Sequence, residues 1–139
     1  MVKLRILNIE DLEFLLEIRN DESTRYQLKD NSIYNIEECK NWFNNLKSPW
    51  YVVEVDGMMV GYFRTNGKEI GCDIHPNFRR KGYARAAYKE YLKNNKDVFL
   101  DVFEDNHAKK LYEELGFVKV GKVNTLRGRN YIKMKYEEI

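Results

Sequence analysis

Apolar and charged residues alternate over residues 3–7, which predicts an opening strand. The period then changes. Asn8 with Asp11 three positions on has the form of a capping box, and Leu12, Leu15, Leu16 and Arg19 follow at helical spacing. Residues 21–31 are polar and aperiodic, so an irregular connection is expected there. Asn35 and Glu38 repeat the capping signature ahead of Cys39, Trp42, Phe43 and Leu46 on one helical face. Pro49 is expected to end that helix, because proline holds the preceding residue extended. Strands are predicted at 50–55, 58–65 and 68–74, joined by Asp56-Gly57 and Asn66-Gly67, which are strong hairpin signals between apolar runs. Pro76 stops the third of them. Beyond a basic loop, Ala84, Ala87, Tyr88, Tyr91 and Leu92 mark a helix, and 98–103 a strand. Ala108, Leu111, Tyr112 and Leu115 stand at i, i+3, i+4 and i+7, with Gly116 as the helix stop. Residues 117–125 and 131–136 form a closing hairpin around 127–130. The resulting order, β-α-α-β-β-β-α-β-α-β-β, predicts an α/β (α+β) fold with a mixed sheet of about seven strands and about four helices, not a repeated βαβ unit.

Composition narrows this further. The 139 residues contain no repeat, linker or low-complexity tract, so one domain over 1–139 is expected. With 43% hydrophobic and 14% aromatic residues the chain can build a core and is no disordered segment. Its longest uncharged run is seven residues, Gly57 to Phe63, too short for a membrane span. The alternating start has no apolar stretch of the kind a secretory leader needs, and a cytoplasmic location is expected. Cys39 and Cys72 make no disulfide framework, and His75 and His107 share no ligand spacing with them, so no metal is expected. A net charge of +2 supplies no general attraction to nucleic acid.

The densest chemical signal is Ile74-His75-Pro76-Asn77-Phe78-Arg79-Arg80-Lys81-Gly82-Tyr83-Ala84-Arg85. A strand ends, a loop turns and a helix begins. The first backbone N–H groups of a helix lack intrahelical partners, and the helix dipole adds partial positive charge there. Gly82 permits positive φ or close approach, Ala84 keeps the helix start open, and Arg79, Arg80, Lys81 and Arg85 attract an anion. Taken alone, the pattern fits an ordinary solvated basic loop, a phosphate site or a small nucleic-acid patch. It is neither a Walker loop nor a dinucleotide fingerprint.

Arg79, Gly82 and Ala84 match the Arg/Gln-x-x-Gly-x-Gly/Ala loop of the GNAT N-acetyltransferase family, and the segment resembles that family from the preceding strand onward. LYEELGF, residues 111–117, is similar to the family's penultimate helix and its exit, and the order of elements agrees from Val2 to Tyr136. The resemblance implies a GNAT-like, mostly antiparallel twisted sheet and an acetyl-CoA-dependent transfer directly to an amine, with acetyl-CoA as co-substrate. It further implies that the backbone of Cys72 and Ile74 pairs with the pantetheine arm and that the amides from Arg79 to Ala84, Tyr83 among them, hold the pyrophosphate with Arg85 close behind. Tyr112 matches the tyrosine that protonates the departing thiolate. The family commonly has asparagine where this chain has Asp105; Asn106 stands one position late and is kept as a cofactor candidate. Arg19-Asn20-Asp21 and Trp42-Phe43 resemble the branch acting on ribosomal-protein N-termini or nucleotide-linked amino sugars.

An amine must be neutral to attack. At pH 7 that costs an alkylamine roughly 4.6 kcal/mol and an α-amine about 1.4. The candidates for a base are Glu69, Asp73, His75, Asp101, Glu104 or a water. By strand alternation Glu69, Gly71, Asp73 and His75 share one face, opposite Ile70, Cys72 and Ile74. Cys72 has no histidine partner and reads as a small strand residue. Tyr26, Tyr34, Trp42 and Tyr62 are candidates for an acceptor pocket. The expected acceptor is a small-molecule primary amine, amino sugar ahead of polyamine. The alternatives are a protein N-terminus, or a non-catalytic acyl-CoA sensor on the same fold. A monomer or a homodimer fits, the closing hairpin being a pairing edge.

Overall fold

The computed structural model describes residues 1–138. Strand β1 (Val2–Ile6) leads through a 3-10 turn (Ile9–Asp11) into α1 (Leu12–Asn20), α2 (Glu22–Arg25) and α3 (Ile36–Asn44). The meander β2 (Tyr51–Val55), β3 (Met58–Asn66) and β4 (Glu69–Ile74) follows, then a second 3-10 turn (Pro76–Phe78) and α4 (Tyr83–Leu92). Strand β5 (Phe99–Phe103), α5 (Ala108–Leu115), β6 (Phe117–Leu126) and β7 (Arg129–Tyr136) complete the chain. The seven strands form one sheet in the order β1-β2-β3-β4-β5-β7-β6, antiparallel throughout except for β4 beside β5.

The expected elements are present, with three differences. The stretch 21–31 is not wholly irregular: Asp21 accepts a hydrogen bond from the Ser23 N–H and starts α2, a fifth helix whose four residues are too few to display a period. The helix opened by the Asn35–Glu38 capping box stops at Asn44, before Pro49 acts. The last hairpin turns tightly at Arg127–Gly128, both at positive φ, so its strands reach Leu126 and Arg129. An Arg-Gly pair makes the same mirror-image turn as Asp56-Gly57 without the asparagine or aspartate that signals it.

Alternation along the strands sorts two cores. On one face Phe63, Ile70, Ile74, Leu100 and Met134 pack with Tyr88 and Leu92 of α4. On the other, Trp50, Val52 and Tyr62 pack against Leu12, Leu15, Ile18 and Cys39 of α1 and α3. Each large side chain so buried contributes about 1.5–3 kcal/mol. No helix of the described residues is long and apolar enough to cross a membrane.

Candidate active site

The parallel pair is where the sheet opens. Strands β4 and β5 are in register only at Glu69 and Phe99. Beyond that point β4 continues to Ile74 while pairing with β3 alone. The His75 N–H donates to the Val60 carbonyl on β3 at 2.9 Å. Since backbone groups alternate in direction along a strand, the N–H groups of Cys72 and Ile74 and the Cys72 carbonyl face the opening. The Ile74 carbonyl is engaged, accepting from Arg79 Nε at 2.9 Å.

The phosphate-loop candidate stands at the end of this unpaired edge. Arg80 at φ 63 and Gly82 at φ 80 are both left-handed, and Gly82 is the N-cap of α4. No side chain caps that helix and no acidic residue lies in its first turn, so the N–H groups of Tyr83, Ala84 and Arg85 remain open to a ligand. A Cβ built on Gly82 meets nothing within 4 Å, which leaves a clear space over the amides. Arg80 and Lys81 are exposed, with no ion-pair partner among the described residues. An anion at such a helix start gains about 0.3–1 kcal/mol, up to ~2 when partly buried. These residues fit a diphosphate.

The other members of the motif are committed differently. Besides Ile74, the Arg79 guanidinium donates to Ser23 Oγ at 2.6 Å and Thr24 Oγ1 at 2.9 Å, tying α2 to the loop. Arg85 pairs with Glu114 of α5 at 2.5 Å. Asn106 uses its side chain to accept from the Ala108 N–H at 2.9 Å, capping α5, while Asp105 pairs with Arg129 at 2.6 Å.

Tyr112 lies on the α4–α5 face, the side of the opening that Cys72 also faces. Its hydroxyl is 3.3 Å from that of Tyr88, which donates to it, and its ring meets Tyr88 edge-on. Burial pushes the Tyr112 phenol up to about 12. Burial, with Asp73 nearby, also pushes the Cys72 thiol up, which leaves it protonated and a poor nucleophile.

On the opposite face lies a cavity of about 400 Å³ between α1, α3 and the strands, walled by Leu16, Leu28, Tyr34, Trp42 and Trp50 and floored by Arg64. Of the four aromatic candidates for this pocket, Tyr34 and Trp42 line it. Tyr62 is fully buried in the core beneath, and Tyr26 lies outside, stacked under Arg129. Three of the four acidic candidates are paired. Glu69 and Asp101 share the Lys29 ammonium at 3.5 and 2.5 Å, and Asp73 lies 3.1 Å from Arg64. His75 is the N-cap of the second 3-10 turn: its Nδ1 accepts from the Asn77 N–H at 3.1 Å and its ring stacks on Phe14. Glu104 is exposed beyond β5. Among the described residues no cluster of three or more His, Cys, Asp or Glu could hold a metal.

Arg64, Lys29, Arg127 and Tyr88 carry no functional assignment from the sequence. Arg127 holds the carbonyls of Leu28 and Lys29 at 2.8 and 2.7 Å, reaching across nearly the whole chain to fix the cavity rim. For Arg64 a signal existed: a charged residue inside the apolar run of β3, on the inward side.

The chain matches the Acetyltransferase (GNAT) family over residues 12–117 and belongs to that family; it is an acyltransferase of the N-acetyltransferase type. The resemblance read from Arg79, Gly82, Ala84 and residues 111–117 is thereby borne out. Among solved structures, spermidine N-acetyltransferase from Vibrio cholerae in complex with CoA and spermine is 23% identical, with a TM-score of 0.82 over 96% of this chain and 93% of that one. Ribosomal-protein-alanine N-acetyltransferase from Brucella melitensis is 23% identical, with a TM-score of 0.76 over 95% and 97%. The Salmonella typhimurium protein yncA with its cofactor acetyl-CoA is 18% identical, with a TM-score of 0.73 over 100% and 96%. At these identities the likeness is one of fold.

Proposed function

We propose that this chain is an acetyl-CoA-dependent enzyme that acetylates the primary amine of a small molecule directly, amino sugar ahead of polyamine. The observation that carries the reading is the unpaired inner edge of β4, which runs from the Cys72 and Ile74 amides to the open amides of Tyr83, Ala84 and Arg85. That edge can pair with an extended amide-bearing arm, and the helix start can take the diphosphate behind it. Acetyl-CoA would supply an activated thioester at this edge. Tyr112 faces the same opening and donates its hydroxyl hydrogen to the departing sulfur. With the phenol near 12, full transfer to a thiolate of about 8.5 is uphill by roughly 3.5 units, or ~4.8 kcal/mol. Tyr112 therefore stabilises the sulfur by hydrogen bonding, and complete protonation follows once CoA leaves. Since Glu69, Asp73 and Asp101 are each ion-paired, the acceptor proton leaves through water in the cavity.

The cavity between α1, α3 and the sheet is a half-open cleft of about 400 Å³, a size that suits a small acceptor. The test is thiol release from acetyl-CoA with amino sugars, polyamines and N-terminal peptides as acceptors. Release dependent on an amino sugar or polyamine supports the reading, release with peptides alone replaces it by the protein N-terminal one, and CoA binding without release by any acceptor leaves only the sensor.

A further inference from the structure

The floor of the acceptor-side cavity presents a guanidinium whose fork is unclaimed. Arg64 comes from the middle of β3 and shares a sheet face with Tyr62 and Asn66. Across the strands its register partner is Gly71 of β4. The guanidinium lies flat over that glycine: a Cβ at residue 71 would overlap its central carbon and both terminal nitrogens. Gly71 is thus what seats Arg64 against the sheet.

Arg64 Nε is 3.1 Å from Asp73 Oδ2, but the two are not aligned for a hydrogen bond, and both atoms are enclosed. Asp73 is the guanidinium's ion-pair partner, but the terminal nitrogens Nη1 and Nη2 donate no hydrogen bond among the described residues. The side chain is 26% exposed, and it lines the cavity. The cavity's other charged groups are engaged. Arg19 donates to the Ser32 and Asp30 carbonyls, Lys29 bridges Asp101 and Glu69, and Glu38 closes the cap of α3. Two parallel N–H donors held rigid on a cavity floor match the two oxygens of a carboxylate or a phosphate.

We propose that Arg64 binds the acceptor, and that the acceptor is a small amine bearing a carboxylate or phosphate group. The inference rests on the acetyltransferase reading and names the acceptor class of that same site. The aromatic wall of Tyr34, Trp42 and Trp50 holds the body of the molecule, and Arg64 fixes its anionic end so that the amine points to the opening between β4 and β5.

Matched acceptors test it: 4-aminobutanoate against butylamine for a carboxylate, glucosamine 6-phosphate against glucosamine for a phosphate, and 1,4-diaminobutane as the dication. At least one anionic member should exceed its neutral parent about tenfold or more in kcat/KM, the successful arm identifying the anion. Arg64→Lys, which keeps the charge and loses the fork, should cut that advantage below about threefold with CoA affinity unchanged. Gly71→Ala should act alike by displacing the guanidinium, and it serves if Arg64→Lys does not fold. Calorimetry with the same compounds in the presence of CoA reads acceptor binding without transfer. Equal handling of anionic and neutral members, a preference for the diamine, or an advantage that survives both substitutions overturns the proposal. Absence of heat with CoA itself would instead strike at the acetyltransferase reading, while titration of the acceptors into the free protein still reads the role of Arg64.

Discussion

The two sides of the β4–β5 opening are built by different means. On the α4 side the groups proposed to hold the cofactor are backbone amides, placed by one strand, one turn and one helix that are contiguous in the chain. On the α1–α3 side the cavity is lined by side chains from α1, the segment before α3, α3 itself, β3 and β4, and Arg127 from the far end of the chain holds the rim at Leu28 and Lys29. Amides bind what every member of a fold family shares, because almost any sequence can supply them. Side chains from scattered elements bind what distinguishes one member from another. Substitutions should therefore abolish cofactor use when they alter backbone conformation on the first side, and redirect acceptor choice on the second.

The largest effect is expected at Gly82. Aspartate there must adopt φ near 80, which strains a non-glycine residue by about 1–3 kcal/mol, and it sets a negative charge at the proposed diphosphate site. Gly82→Asp should weaken CoA binding on the order of a hundredfold by calorimetry, with the strain itself lowering Tm by roughly 3–10 °C. Unaltered affinity would place the diphosphate elsewhere.

Tyr112→Phe should lower kcat about tenfold to a hundredfold while CoA affinity stays within twofold. A large loss of affinity would make the residue part of the packing only. The same phenol carries a pH signature. Because its folded value, about 12, lies above the ordinary 10, the neutral form is favoured in the fold. Its contribution is full below pH 10 and is lost as pH rises through about 12, worth roughly 2.7 kcal/mol. Urea unfolding between pH 9.5 and 12 should show this decline, less steeply in Tyr112→Phe.

Arg79 joins the two sides, since it links the end of β4 to Ser23 and Thr24 of α2. Arg79→Ala should cost about 2–3 kcal/mol of stability, seen as a drop of roughly 5–10 °C in Tm. The smallest effect is expected at Cys72. On the proposed reading Cys72 meets the cofactor through its backbone, so Cys72→Ala should change kcat less than about twofold, and thiol-blocking reagents should leave activity intact.

Legibility followed the same division. The meander, the basic turn and the stripe carrying Tyr112 were readable because each is set by a period, a cap or a turn within about a dozen residues. Helix α2 was not readable, since four residues show no period, and neither was the Arg127–Gly128 turn, whose arginine carries no turn signal. In the sequence Arg79 is one of four loop cations suited to an anion; that its guanidinium turns inward to α2 depends on two residues more than fifty positions away. The shared hold of Lys29 on Glu69 and Asp101 likewise needs three separate segments.

The order of elements apart from α2, the glycine at the start of α4 and the motif residues that carry the family resemblance were determined by the amino-acid sequence alone, because each is set within a short run of residues by a period, a cap or a turn. Tertiary structure alone decided which charges are spent on one another, that Gly71 clears a seat for Arg64, and that Tyr62 lies beneath the cavity instead of in it. These are properties of side chains from remote segments meeting at one point, and only the pairing of the strands brings them together.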